Sequence, residues 1–252
     1  MRAQKLLLLL AFGLIIARSF AYFNVTHLTV NVYLSNSTSA KVVESLQFFI
    51  SNSSIQSYMQ DRAAVNQTLS IWQKVLNTNL LVEHIFNPRS SIKNFTLLPG
   101  PAIMQGNGAV ATISMYYVAE NVTSVKEIAP RKFEYTFNDS CFNFQHTASG
   151  EALFQNATLN FFLPTGAKVL MPIYPLPDYP VDNYANSTQF SWFEAEPLNK
   201  FQFSYVVEES LQQEVTRFFS NVYYRHRPAV IAFLIIVVAG IALAVYRIMH
   251  GR

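Results

Sequence analysis

The residues of this sequence whose types could do chemistry are few, and their spacing is loose. Cys141, the single cysteine of the chain, has Asp139 two positions before it and His146 five after it. A thiol, an imidazole and a carboxylate are the parts of a Cys–His nucleophile or a metal site, but no second pair of ligands stands near them. Glu194 and Glu196 would share one face if their strand continued. A glycosidase needs two carboxylates that converge on one bond, whereas neighbours along a strand point in parallel and Pro197 ends the run. Asp178, Asp182 and Asn183 form a loose oxygen cluster of the kind calcium takes. The remaining histidines of the outer part, His27 and His84, stand alone, and Glu83-His84 is the only trace of an HExxH pattern. There is no GxSxG elbow, no CxxC and no EF-hand loop, and a chain with eight glycines holds no glycine-rich phosphate loop. The sequence therefore predicts no catalytic residue, no metal ligand and no cofactor. It places Cys141 in the core as a small apolar side chain.

The residues that do form a set are asparagines. Asn24, Asn36, Asn52, Asn66, Asn94, Asn121, Asn138, Asn156 and Asn186 each open an N-x-S/T triplet without proline at the middle position. With 19 Asn and 35 Ser plus Thr in 252 residues, random pairing gives about 2.6 such triplets, so nine is an excess. Each is a candidate acceptor for an N-linked glycan, and such acceptors belong on the surface of a chain exposed to a glycosylating compartment.

Alternation of apolar and polar residues supplies the elements that must carry these asparagines. Phe133, Tyr135 and Phe137 alternate with Glu134, Thr136 and Asn138; Ala157, Leu159, Phe161 and Leu163 alternate with Asn156, Thr158 and Asn160. In both runs the acceptor falls on the polar side. Leu28 to Leu34 and Phe201 to Val207 have the same period, and Lys41 to Ile50, Val110 to Val118, Lys168 to Ile173 and Gln189 to Phe193 are further strands. Pro99-Gly100-Pro101 and Gly106-Asn107-Gly108 are turns, and the prolines between Met171 and Pro180 predict an extended loop. Between Ser54 and Asn77 the period changes: Val65, Leu69, Trp72 and Leu76 fall on one helical face, the pattern of a helix laid on a sheet. The fold class read from the sequence is mainly β (α+β), antiparallel with one packed helix.

The two ends supply an address. Arg2 and Lys5 precede an apolar core from Leu6 to Ala17 and a Ser19-Phe20-Ala21 site, the layout of a signal peptide (residues 1–21) cut after Ala21. Ala229 to Val245 is an unbroken apolar run; with Tyr246 it makes a helix about 27 Å long, against roughly 30 Å of bilayer hydrocarbon. The sequence thus predicts a β-rich outer part over 22–207, a helical stalk over 208–227 with Leu211, Val215, Phe218 and Val222 on one face, a transmembrane helix over 228–246, and a cytoplasmic tail of 247–252. Pro228 predicts a break between stalk and anchor. Basic residues flank the anchor on both sides, so orientation comes from the signal, which sends the N-terminal part outward.

The net charge of +3 comes from these ends, because residues 22–224 hold fifteen acidic and only eleven basic residues. No basic patch for nucleic acid is present there. Charged residues are 13% of the chain against about 25% in soluble domains, a surface that glycans could keep soluble. The expectation is a single-pass, N-glycosylated membrane protein with its outer part outside the cell or in the secretory lumen. Its partners are the membrane, N-linked glycans and a protein or second copy, reached through the glycan-free stretch Ser187 to Tyr224 and the anchor. The alternative is a membrane-tethered hydrolase using Glu194, Glu196 or the Cys141–His146 region. A signal, one late anchor, many acceptor triplets and almost no cysteine resemble the layout of archaeal surface glycoproteins, a likeness that transfers no residue role.

Overall fold

A computed structural model describes residues 23–64, 68–193 and 195–225, together with isolated positions from 227 to 250. The signal segment, Val65, Asn66, Glu194 and nearly all of the anchor lie outside the described residues. Among the described residues no helix is long and apolar enough to cross a membrane.

The protein is mainly β. Its elements in chain order are β1 (Phe23–Tyr33), β2 (Ala40–Ser51), α1 (Ile55–Ala63), α2 (Leu69–Leu76), β3 (Lys93–Pro99), β4 (Ile103–Gln105), β5 (Gly108–Ala119), β6 (Thr123–Ala129) and β7 (Lys132–Phe137). There follow β8 (Gln145–Thr147), β9 (Gly150–Ala152), β10 (Ala157–Phe162), β11 (Lys168–Tyr174), β12 (Gln189–Phe193), β13 (Gln202–Glu208) and α3 (Leu211–Arg225). The chain divides into two compact units, residues 1–126 with 134–207, and 127–133 with 208–252.

The first unit is built on a sheet ordered β12-β10-β1-β2-β5-β3, with β4 also on β5. All its pairs are antiparallel except β1 with β10, which run parallel. The sheet is therefore mixed, where sequence alternation predicts an antiparallel one; a period of two reports faces and carries no strand direction. A second sheet is ordered β11-β13-β7-β6. The inner faces of the two sheets meet through aromatic rings: Phe161 lies 5.2 Å from Phe203 and 4.8 Å from Phe137, and Trp192 lies 5.0 Å from Phe201. Each such ring, fully buried, contributes about 1.5–3 kcal/mol by leaving water, and edge-to-face contacts add to that.

The other half of the inner face is covered by helices and a loop. Tyr58 of α1 packs on Phe48 of β2 and on Trp72 of α2, at 5.7 and 5.6 Å. Trp72 and Leu76 are buried as the helical spacing requires. The single predicted helix is in fact two, α1 and α2; the apolar period runs through residues that do not form one continuous helix. Pro172, expected in a loop, stands inside β11, whose register with β13 shifts between Leu170 and Tyr174. β11 is an edge strand, where a missing N–H costs no ladder bond.

In the second unit, Glu209 N–H donates to the Arg131 carbonyl at 2.8 Å, and the Arg217 guanidinium sits 4.5 Å over the Phe133 ring and 3.2 Å from the Glu209 carboxylate. Leu211, Val215 and Phe219 of α3 are exposed.

The β4–β5 hairpin turns on Gly106, at φ +56, with Gln105 opposite Gly108. A Cβ on Gly108 would stand 2.3 Å from the Ile50 carbonyl oxygen and 2.3 Å from the Phe49 ring. Gly108→Ala is expected to lower stability by about 1–3 kcal/mol, the usual cost of overpacking, read as an earlier midpoint in urea unfolding; an unchanged midpoint contradicts the close approach.

Candidate functional site

Glu44 breaks the pattern of its strand. On β2 the residues Ala40, Val42, Leu46, Phe48 and Ile50 form the buried face, and Glu44 stands among them at 0% exposure, opposite Val30 and Met115. A carboxylate inside a core is costly unless its oxygens are hydrogen-bonded. Three donors answer it. Oε1 accepts the His84 backbone N–H at 2.6 Å and the Tyr117 hydroxyl, and Oε2 meets His84 Nδ1. The Tyr117 oxygen in turn accepts the Ile85 N–H at 3.1 Å. Burial, then the adjacent Glu44 charge, push the Tyr117 phenol well above its ordinary value, so it stays a donor at neutral pH.

These bonds pin an irregular stretch of chain onto the sheet. Residues 81–86 also pair with residues 141–143: Phe86 N–H donates to the Cys141 carbonyl and Asn143 N–H to the His84 carbonyl, both at 2.9 Å. Gln73 of α2 donates to the Leu81 carbonyl at 2.7 Å. Leu81 and Ile85 are thereby held at 0% exposure.

A carboxylate, an imidazole and a phenol in contact could move protons. Catalysis would also require the outer imidazole nitrogen to reach a substrate. His84 Nε2 is buried without a hydrogen-bond partner among the described residues, in a ring that packs against Phe144 at 4.9 Å and Phe154 at 5.8 Å. The arrangement closes the fold, and its chemistry is enclosed with it.

The groups suggested by sequence do not gather elsewhere. Cys141 is buried, its thiol 3.9 Å from the Asn121 carbonyl and pushed up to about 11 by burial and then by Asp139. His146 instead contacts Glu151, with Nδ1 2.7 Å from Oε2, on the β8–β9 hairpin. The thiol is thus a poor nucleophile at neutral pH, and its expected place in the core is the observed one. The Glu196 carboxyl is raised by partial burial and then by Asp178, while Asp178 Oδ2 accepts the Phe193 N–H at 2.7 Å. Among the described residues no three His, Cys, Asp or Glu side chains are grouped to hold a metal ion.

The asparagines behave as a set. Of the eight acceptor candidates that are described, Asn24, Asn36, Asn52, Asn94, Asn121, Asn156 and Asn186 are exposed and Asn138 is half-buried. Asn94, Asn121 and Asn156 hold positive φ, at 56°, 55° and 63°, a conformation asparagine tolerates better than most residues. Asn160, expected beside Asn156 on the solvent side, is instead buried: it donates to Asn31 at 2.9 Å and accepts from Ser191 at 2.6 Å across three adjacent strands.

No family model and no curated protein sequence matches this chain.

Two outcomes follow from the cluster. Glu44→Ala strands three buried donors and is expected to cost about 3 kcal/mol or more, whereas Glu44→Gln keeps an acceptor for His84 N–H and Tyr117 and costs less; equal urea midpoints for the two variants would contradict the clamp. The second outcome concerns alkaline pH. Tyr58 is pushed up from 10.0 to about 12 by burial, and Tyr117 is raised too. Their stabilisation is complete below pH 10.0, where both states are protonated, and is lost as pH rises above it, because only the unfolded chain ionises. Stability should fall by about 1.4 kcal/mol per pH unit per tyrosine between pH 10 and 12, and Tyr117→Phe should make that fall shallower by one proton.

Proposed function

We propose that this chain is a single-pass, N-glycosylated surface protein whose β-rich outer part acts by binding, as an adhesion, envelope or membrane-complex subunit, and catalyses no reaction. The observation that carries this reading is the placement of the acceptor asparagines: eight are described, and none is buried. A glycan can be accommodated only where the amide reaches solvent. Asparagine favours the surface in any fold, so the placement leaves all eight described acceptors open to a glycan, and the excess of triplets in the sequence is the reason to expect one.

The titratable groups support the same reading. The one carboxylate–imidazole–phenol cluster described here is enclosed at 0% and 1% exposure for Glu44 and His84. An active site needs converging groups in a concavity that a substrate can enter.

In this reading the membrane is reached through residues 228–246, and a protein partner or second copy through the stretch from Ser187 to Tyr224, which carries no acceptor triplet. Leu211, Val215 and Phe219 are apolar and exposed within that stretch. Helices held parallel by neighbouring anchors would bury such side chains against each other.

Intact mass of the purified full-length chain, before and after enzymatic deglycosylation, tests the reading. The expected result is a protein mass shortened by residues 1–21 and an additional mass that deglycosylation removes. A single unshifted mass equal to the bare polypeptide would overturn it.

A further inference from the structure

The two ends of the larger sheet are finished differently. At β12 the outward backbone groups are taken up by residues 178–179: Ser191 N–H donates to the Tyr179 carbonyl at 2.8 Å, and Asp178 and Tyr179 N–H donate to the Ser191 carbonyl at 2.9 and 3.3 Å. The Asp178 carboxylate accepts the Phe193 N–H, and the prolines on either side prevent this strap from acting as a template itself. That end is closed.

At the other end, β3 and β4 form one bent strand against β5. Helix α1 reaches it only at the bend, where the Tyr58 hydroxyl donates to the Gly100 carbonyl at 2.6 Å and Arg62 Nε to the Pro99 carbonyl at 3.1 Å. On either side of the bend, no outward backbone hydrogen bond to another described residue is formed by 94–98 or 103–105. Large apolar side chains are exposed there: Leu98, Ile103 and Met104 are 53%, 67% and 64% exposed, and Met59 of α1, at 43%, lines the same shallow surface as Leu98. Charge is the usual guard of such an edge; here it is confined to Lys93 at the start of β3, paired with Glu120 at 2.6 Å, and Arg62 at the bend, and the sequence from Asn94 to Ala119 contains no Asp, Glu, Lys, Arg or His. The stretch from Leu97 to Gln105 carries no charge of its own, and an edge with exposed apolar side chains and outward backbone groups pairs readily with another of its kind.

A further device lies beside Lys93, at the start of this strand. The β3 register slips between Lys93 and Thr96, with Asn94 at φ +56 in the slip. Asn94 and Thr96 are both exposed, while Phe95 turns inward onto Tyr117, 6.4 Å between ring centres. The Asn94-Phe95-Thr96 triplet thus offers both its recognition side chains to solvent from the open edge. Leu98 lies four residues further along, about 13 Å at strand rise.

We propose that an N-linked glycan on Asn94 is the cover of the β3–β4 edge, and that it prevents a second copy of this chain from pairing there. The proposal rests on the reading of this chain as N-glycosylated and assigns one acceptor a task that the others do not share. The glycan is hydrated, bulky and without backbone donors, so it shields the edge without extending the sheet.

The test uses the full-length chain produced in a glycosylating host and purified in detergent. Asn94→Gln and Thr96→Ala each remove the glycan by a different substitution at an exposed position, and Asn156→Gln removes a glycan elsewhere as a control. Peptide mapping reads occupancy at Asn94, and light scattering on size-exclusion peaks reads the protein mass of the particle. The expected result is an occupied Asn94, wild-type mass for Asn156→Gln, and at least a doubling for both Asn94→Gln and Thr96→Ala that Ile103→Lys reverses. An unoccupied Asn94 in the wild type overturns the proposal, and if the remaining acceptors are bare as well it overturns the glycoprotein reading too. An occupied Asn94 whose loss leaves the mass unchanged overturns the edge cover alone. A wild-type particle that is already a multimer and is broken by Ile103→Lys also overturns it, since the edge would then be a standing interface.

Discussion

A carboxylate in an apolar face has to be answered by donors, and this fold is arranged around the answer to Glu44. The inner face of the larger sheet is too wide for the second sheet to cover alone. One half closes on aromatic rings from β7 and β13; the other half closes on α1, α2 and the irregular chain of residues 77–92. That chain has no regular ladder of its own, so its backbone groups need partners wherever it is buried. Glu44 and Tyr117 supply them from β2 and β5, and Gln73 of α2 and residues 141–143 supply others. Well-packed apolar residues in place of Glu44, His84 and Tyr117 together could match the stability of the cluster, but they could not fix which residues of the loop sit on the sheet.

Much of this architecture was legible in the residues. Alternation located β1, β2, β5, β7, β12 and β13 to within a few positions, because each of these strands has one buried face and one that is more open. β3 and β6 escaped, being edge strands with mostly exposed side chains and hence no strong period. Glu44 carried a readable signal, since it shares parity with Val42, Leu46 and Phe48. Its partners lie 40 and 73 residues away, and no local pattern encodes such a distance. Asn160 misled for the opposite reason: polar parity reads as solvent, but a polar residue flanked by Asn31 and Ser191 can be satisfied inside. Cys141 and His146 are close in sequence, but one lies in the core and the other on the surface hairpin.

The surface follows from the same economy of charge. Few charged side chains are available to keep apolar strands apart, and a chain with a single cysteine can form no internal disulfide. Stability is thus left to the aromatic core, and in the proposed reading glycans on the exposed asparagines supply solubility. The two sheet edges show the contrast in small compass: a proline-rich strap closes β12 from within the chain, while helix α1 meets β3 and β4 at their bend and the described polypeptide forms no backbone pairing along them. Binding as the proposed mode of action is consistent with this division, in which the Glu44–His84–Tyr117 cluster is enclosed and the exterior holds the acceptor candidates and apolar side chains.

The reading of this protein as a chain displayed outside a membrane can be tested most directly by labelling its lysines. Apart from Lys5 in the signal segment, every lysine lies between Lys41 and Lys200, and Lys41, Lys126 and Lys200 are exposed. A membrane-impermeant amine reagent applied to sealed, right-side-out surface vesicles should label peptides containing these residues to the same extent as in vesicles opened with detergent. Labelling that appears only after the membrane is opened would contradict the outward orientation and the surface role together.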